Sequence, residues 1–298
     1  MKDSVPFSRQ KISVKCTKCG EINLARRYYL KVLTHPYWCK HCKPYWRPKT
    51  FNDRLRLSRA HRKYNLDETF FEKIDNQGKA YWLGFLSGDG AITENKVRLS
   101  LGIKDEKHLQ KFKEVVKWTG KDYYHRDTDA LEIYFRSSKM VNDLAIYSIT
   151  ARKTYTVKFP NIPKPLEKHF IRGVFDADGG INKAVRISRG KSGQIYICYG
   201  GEFNIEGNKD FIFEIQKRLT ELELPHNSLN YPGKTINRVR YGGINQLKKI
   251  YNYLYQDATI FLERKKKLFE EILKNYHYEV IRKGESGSMI PKFSLVKI

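Results

Sequence analysis

Apolar and polar residues follow two periods along this chain, and the periods alternate. Val97, Leu99, Leu101 and Ile103 alternate with Arg98, Ser100 and Lys104, the period of two of a half-buried strand. Over about 105–118 the apolar side chains fall at Leu109, Phe112, Val115 and Val116, the three-and-four spacing of one helix face. A strand pair is predicted near 121–136, where Leu131, Ile133 and Phe135 alternate with Glu132, Tyr134 and Arg136, and then a helix near 139–149. The succession returns further on. Strands are expected near 183–189 and 193–206, a helix near 209–222, strands near 227–241 and a helix near 244–255. Each series is preceded by an apolar helix, one ending at Asp89 and the other at Asp178. The pattern predicts an α+β protein with two pseudo-symmetric αββαββα halves, 66–156 and 168–275, built on antiparallel hairpins. Residues 157–167, with Pro160, Pro163 and Pro165, read as the linker. A basic amphipathic helix is expected near 258–274, and 276–298, with Gly284, Ser286, Gly287 and Ser288, as a loosely ordered tail.

The first 45 residues follow neither period. Cys16-Thr17-Lys18-Cys19 and Cys39-Lys40-His41-Cys42 form two C-x-x-C pairs. Each pair can place two thiolates on one ion, and two pairs complete a tetrahedral Zn²⁺ shell. Four thiolates leave no open position, so the zinc is expected to be structural. A segment this small folds poorly on apolar burial alone, which makes the ion part of its stability. His35 and His41 are expected outside the shell, and Cys198 as a small buried hydrophobe. Residues 46–65 join this zinc ribbon to the first half as a basic tether, with a helix expected over 52–63.

Charge changes the picture next. The 298 residues carry a net charge of +25, and residues 1–64 hold 17 Lys and Arg against three acids. Such an excess points to a polyanionic partner, in practice nucleic acid. No apolar run is long enough to span a membrane, and the N-terminus lacks the apolar core of a signal peptide. The expectation is an intracellular protein with no membrane partner.

The candidate chemistry lies in a repeat. Trp82-Leu83-Gly84-Phe85-Leu86-Ser87-Gly88-Asp89-Gly90 is matched by Ile171-Arg172-Gly173-Val174-Phe175-Asp176-Ala177-Asp178-Gly179. Gly84 with Gly88, and Gly173 with Ala177, make a smooth strip on one helix face, so two such helices can pack closer than ordinary ridges allow. The glycines after Asp89 and Asp178 are expected to end the helices. Packed along their strips, the helices bring Asp89 and Asp178 together. Two carboxylates that close repel each other unless cations lie between them. Carboxylate oxygens favour a hard ion, Mg²⁺.

The paired motifs resemble those of the LAGLIDADG homing endonucleases, in the single-chain form with two motifs. The resemblance covers about residues 66–275. It implies two twisted antiparallel sheets forming a saddle over double-stranded DNA. It also implies a monomer that makes a double-strand break with short 3′ overhangs, with Asp89 and Asp178 holding two or more divalent ions. The first copy has Ser87 where the second has Asp176, and Asp176 is taken as a packing or surface residue. The family's basic residues near the scissile phosphates map to Lys153 and Lys265, in the pairs Arg152-Lys153 and Arg264-Lys265. Gly102 and Asn204 map to positions that organise water. The polar faces of the strands then become the DNA face, with Arg98, Ser100, Lys104, Tyr134, Arg136, Arg186, Ser188, Tyr196, Arg238 and Arg240 as candidate contacts. Two other functions fit the same fold: a catalytically inactive DNA-binding regulator and an RNA-binding intron maturase. Retention of both acids argues against the first. Splicing rescue by a cleavage-dead variant would reveal the second.

Overall fold

The computed structural model describes residues 10–26, 30, 37–39, 42, 63–191, 193–227 and 236–281. The chain divides into two units, Met1–Lys63 and Tyr64–Ile298. In the first unit, β1 (Lys11–Lys15) and β2 (Ile22–Arg26) form an antiparallel hairpin in the register Lys15↔Ile22. Most of the proposed tether, including the helix expected over 52–63, lies outside the described residues, as do His35 and His41.

The second unit is built around two helices. α1 (Gln77–Gly88) starts at Asn76, whose side chain accepts from the Lys79 amide at 3.0 Å, the usual way to satisfy a free helix N–H. α1 is buried continuously from Ala80 to Ser87. Its partner α4 (Glu167–Asp178) is equally enclosed from Phe170 to Asp176. α1 is apolar on nearly every side, as a helix inside a core should be, while α4 also buries Arg172 and Asp176, each with hydrogen-bond partners, and the two lie against each other at the centre of the core.

Each helix runs directly into a sheet. After α1 come β3 (Gly90–Ile92), β4 (Lys96–Gly102), α2 (Glu106–Val115), β5 (Tyr123–His125), β6 (Ala130–Arg136) and α3 (Ser138–Ile146). The antiparallel strand order is β3-β4-β6-β5. After α4 come β7 (Gly179–Arg189), β8 (Ile195–Asn208), α5 (Lys209–Thr220), β9 (Ile236–Tyr241), α6 (Ile244–Tyr255) and α7 (Glu263–Lys274). The strand expected before β9 falls largely on 228–235, outside the described residues. The αββαββα succession is complete in the first half and present in the second as far as it is described.

Alternation sorts the faces. Val97, Leu99, Leu101, Ile133 and Phe135 are buried, as are Ile181, Phe203, Ile205, Val239 and Tyr241 in the second sheet. They join Leu109, Phe112, Met140, Phe211, Ile215, Leu247 and Phe269 of the helices in one continuous core.

Two features differ from the expectation. The first strand ends at Gly102, with one last bond from the Ile103 amide to the carbonyl of Asp129 at 2.9 Å, and Lys104 lies on the 3₁₀ turn Ile103–Asp105. Residues 277–281 are not loose tail. They form β10 (His277–Ile281), an antiparallel strand on β8 in the register Tyr278↔Cys198 and Val280↔Tyr196. Two adjacent β-branched residues, Val280 and Ile281, suit a strand. Residues 282–298 lie outside the described residues.

Candidate active site

The two helices touch backbone to backbone. A Cβ at Gly84 would stand 2.0 Å from the carbonyl oxygen of Phe170, and one at Gly173 would stand 2.0 Å from that of Tyr81. A Cβ at Gly88 would meet the Cβ of Ala177 at 2.5 Å and Oδ2 of Asp178 at 2.8 Å. The strip of small residues therefore brings the C-terminal ends of the helices together. Asp89 and Asp178 project from those ends and remain open to solvent. Gly90 and Gly179 follow and the helices end there as expected, although neither glycine has a positive φ. A Cβ at Gly90 would strike the carbonyl oxygen of Leu86 at 2.6 Å, and one at Gly179 the carbonyl oxygen of Phe175 at 2.7 Å. Glycine is required there by crowding as the chain turns from helix to strand.

Surrounding protein and charge act on the pair. Burial and the like charge of Asp178 push Asp89 up to about 6, against the pull of Lys265 and Lys153. Burial pushes Asp178 up as well, opposed by the same two lysines. Two acids that hold protons more tightly than usual, yet face water, fit a site whose full charge is balanced by a hard cation.

The two lysines reach this centre differently. Arg152 adopts a left-handed conformation, φ 59°, and swings the chain into the 3₁₀ turn Lys153–Tyr155. Nζ of Lys153 donates to the carbonyl of Gly88 at 2.5 Å. Lys265, in the first turn of α7, donates to three carbonyls: Phe175 at 2.8 Å, Asp176 at 2.7 Å and Gly179 at 2.7 Å. Its ammonium has three protons, so every one is engaged at the end of α4. Burial pulls Lys265 down to about 8 and pulls Lys153 in the same direction.

Behind the site lies a network that the sequence reading missed. Tyr81 of α1 donates its hydroxyl to Oδ2 of Asp176 at 2.8 Å, across the helix pair. That leaves Nε2 of His108 as donor to the tyrosine oxygen, also at 2.8 Å. Burial drops His108 to about 3, so the ring is neutral. The amide of Leu262 donates to the same Asp176 oxygen at 2.8 Å. The Leu262 carbonyl in turn accepts from Lys265 and Lys266 at the start of α7. Asp176 is thus a buried packing residue that holds the start of the helix carrying Lys265. Burial pushes its carboxyl up to about 6 despite the nearby Lys265. The available signal was an acid within the apolar stretch Gly173-Val174-Phe175-Asp176-Ala177, which must find partners when buried. Arg264 adds a second tie between the halves: its Nε lies 2.9 Å from both carboxylate oxygens of buried Asp105.

The candidate recognition residues are placed by strand register. Arg98, paired with Tyr134, shares the outward face of the first sheet with Ser100 and Arg136, while Lys104 is off the strands. Tyr134 stacks on Tyr123 at 4.9 Å and carries Nζ of Lys96 at 3.8 Å over its ring. In the second sheet Arg186, Ser188, Tyr196, Arg238 and Arg240 share one face, opposite the core. Arg238 pairs with Glu206, and Nη1 of Arg240 lies 3.8 Å from Glu202. Arg186 donates to the carbonyls of Gly242 at 2.7 Å and Gly201 at 3.3 Å. Asn204 is buried on this face beside Gly180, near Asp178, and Gly102 closes β4.

The first unit has its own centre. The Sγ atoms of Cys16, Cys19, Cys39 and Cys42 all lie within 4.8 Å of one another. Sulfurs around one tetrahedral Zn²⁺ stand about 3.8 Å apart. Gly20, φ +78°, turns the first knuckle, and its amide donates to the Cys16 carbonyl at 2.9 Å. The Cys39 amide donates to Sγ of Cys16 at 3.1 Å. Burial raises the Cys16 thiol, but this amide and those of Cys19 and Lys18 outweigh it and bring it to about 6. Cys42 is pushed up to about 12, first by Cys19 and then by burial. Four thiols so close cannot all ionise without a cation, and the set fits zinc.

No protein-family model matches the chain. Over 121 residues it is 29% identical to the replication factor C small subunit of Methanocaldococcus jannaschii, covering 38% of this chain and 6% of that protein. Over 252 residues it is 23% identical to the probable translation initiation factor IF-2 of the same organism, covering 74% of this chain and 21% of that protein. The chain therefore spans about a fifth or less of the curated relatives it matches. Among solved structures it resembles LAGLIDADG proteins. The meganuclease I-AabMI bound to uncleaved DNA aligns with a TM-score of 0.48 and 14% identity, covering 67% of this chain and 91% of that one. The homing endonuclease I-LtrWI bound to target DNA gives 0.48 and 12%, with the same coverage. I-SmaMI bound to uncleavable DNA gives 0.49 and 13%, covering 68% and 88%.

Proposed function

We propose that this chain is a site-specific, metal-dependent DNA endonuclease of the LAGLIDADG homing type that breaks both strands of a long target. One observation carries the reading: two helices in backbone contact end side by side in Asp89 and Asp178, with Lys153 and Lys265 acting on both carboxylates. Divalent ions held there, Mg²⁺ by the hardness of the ligands, would supply activated water and stabilise the leaving oxygen. The chain's residues do the rest. Lys153 donates one bond to Gly88 and keeps two protons to direct at a phosphate. Lys265 has no spare donor, so it contributes positive charge from a fixed position. Each half brings one acid and one lysine, which matches one phosphate per strand. Outward arginines such as Arg98 and Arg240 then meet base edges and phosphates of double-stranded DNA.

We read the protein as an intracellular monomer, since the two motifs of one chain complete the site. The curated relatives support mobility. They carry unrelated names, and each shares only a minor part of its length with this chain, as a passenger element would.

The test begins by selecting cleaved sites from a randomised duplex library with Mg²⁺. On the selected site, Asp89→Asn and Asp178→Asn should each abolish double-strand cleavage and preserve binding. If either variant cuts both strands at the wild-type rate, the assignment is wrong. Binding without cleavage by the wild-type chain would favour an inactive regulator.

A further inference from the structure

The two halves reach unequal distances from the carboxylates. β3 starts directly after Asp89 and runs 3 residues, whereas β7 starts directly after Asp178 and runs 11. At about 3.4 Å per residue these reaches are about 10 Å and 37 Å. The longer hairpin is also wider. Among the described residues β9 pairs with β8 from Phe203 to Asn208, and β10 pairs with it further out, from Ile195 to Tyr199.

Directly opposed residues of antiparallel strands share a face. Arg186, Cys198 and Tyr278 therefore form one row, and Ser188, Tyr196 and Val280 the next. Both rows continue the face that carries Arg238 and Arg240. Local packing agrees. Sγ of Cys198 lies 3.2 Å from the hydroxyl of Tyr276, which lies 3.3 Å from that of Tyr278. The Tyr276 ring fills the space above Gly200, where a Cβ would come within 2.5 Å of it. Tyr278 and Val280 stand 59% and 49% exposed. Between residues 183 and 199 there are four Lys or Arg and no Asp or Glu.

We propose that β10, a strand outside the repeated succession, widens the DNA face of β7 and β8 at its outer end and that its Tyr278 and Val280 read additional base pairs far from the cut on one half-site. The proposal rests on the nuclease reading and assigns its specificity. Strands of a sheet can lie along the major groove, where the thymine methyl offers an apolar contact and base edges offer hydrogen bonds. The outer part of the hairpin, residues 183–199, carries no acid and so meets phosphates without repulsion, while Glu279 of β10 pairs opposite Ile197, on the other face from Tyr278 and Val280. The difference in reach, about 27 Å, corresponds to about eight base pairs of helical rise, less what twist and tilt remove.

The test uses the intact chain, wild type and the surface double variant Tyr278→Ala/Val280→Ala, after both show the same thermal melt. Bound duplexes are selected from a randomised library without divalent metal, and cleaved duplexes with Mg²⁺. The wild type should show a block of preferred base pairs well outside the cut on one side. The variant should lose about tenfold preference within that block, with preferences near the cut and cleavage of the central site within about twofold of wild type. Cys16→Ser should keep the block, which separates β10 from the zinc ribbon. A block that persists in the double variant, or one that Cys16→Ser erases, overturns the proposal. So does a uniform loss of preference at every position. Selection of a cut site with no outer block sinks the role of β10 alone. Failure to select any duplex sinks the nuclease reading with it.

Discussion

Gly84 offers the sharpest check on how the site is built. Alanine is favoured over glycine inside a helix by about 1 kcal/mol, so on propensity alone Gly84→Ala would stabilise α1. Packing predicts the opposite sign. The new methyl would lie 2.0 Å from the Phe170 carbonyl oxygen, where ordinary contact begins at 3.4 Å. The obstacle is backbone, so no side chain can rotate away. The helices must part locally by more than an ångström, and a gap of that size forfeits about half the dispersion energy of the atoms along it. Those atoms belong to fully buried Tyr81, Phe85, Phe170 and Val174. Overpacking an ordinary core costs about 1–3 kcal/mol. With backbone against backbone we expect the upper end, about 3 kcal/mol net. Gly78 is the control on the same helix, because a Cβ there meets only the side-chain oxygen of Asn76 at 3.3 Å. Gly78→Ala, which asks only the capping side chain of Asn76 to shift, should change stability by no more than about 1 kcal/mol in either direction. Urea unfolding in metal-free buffer, followed by tryptophan fluorescence, measures both, with buried Trp82 as reporter. Gly84→Ala should also lose more cleavage than its folded fraction explains, because parting the helices separates Asp89 from Asp178. Equal unfolding midpoints for the two variants would refute close helix packing as the basis of the site.

Other outcomes follow from the same geometry. Lys265→Met strands three carbonyls and Lys153→Met only one, so the first should cost several kcal/mol and the second about 1–2; similar urea midpoints would count against the difference. Cys16→Ser should release zinc, measured by metal analysis of the purified protein, and weaken duplex binding without moving the cut; full zinc occupancy would contradict the shared site. Asp89 and Asp176 hold protons to about 6 in the folded chain but release them near 3.9 when unfolded. The folded state thus binds the extra protons, and metal-free stability should fall as pH rises from about 4 to 6. Asp176→Asn should flatten that slope in chelator-treated protein, and an unchanged slope would exclude Asp176 as a source.

Much of this was legible because it is local or repeated. The nine-residue motif, the switch between periods and the two C-x-x-C pairs each lie within a short window, and each led to the element or cluster found. What escaped depends on groups that only the fold brings together. Asp176 could be seen as an acid in the apolar stretch of the second motif, but its partners Tyr81 and Leu262, and the His108 behind Tyr81, are scattered along the chain. The difference between Lys153 and Lys265 was hidden in the number of carbonyls each reaches. That glycines end both helices at Gly90 and Gly179 is legible in the motif, but the crowding by Leu86 and Phe175 that requires them is not. Residues 277–281 were read with the glycine and serine that follow them, and their own alternation was too short to stand out.

The hydroxyl–carboxylate bond at the centre is one-sided. Where the second helix has Asp176 the first has Ser87, which turns back to the Gly84 carbonyl of its own helix at 2.6 Å. Where the first has Tyr81 the second has Phe170. The halves have become plug and socket. Two copies of the first would face a tyrosine with no acid, and two copies of the second would trap two acids against phenylalanine. Cut into separate polypeptides, they would recombine only as a mixed pair. Neither half alone could rebuild the pair.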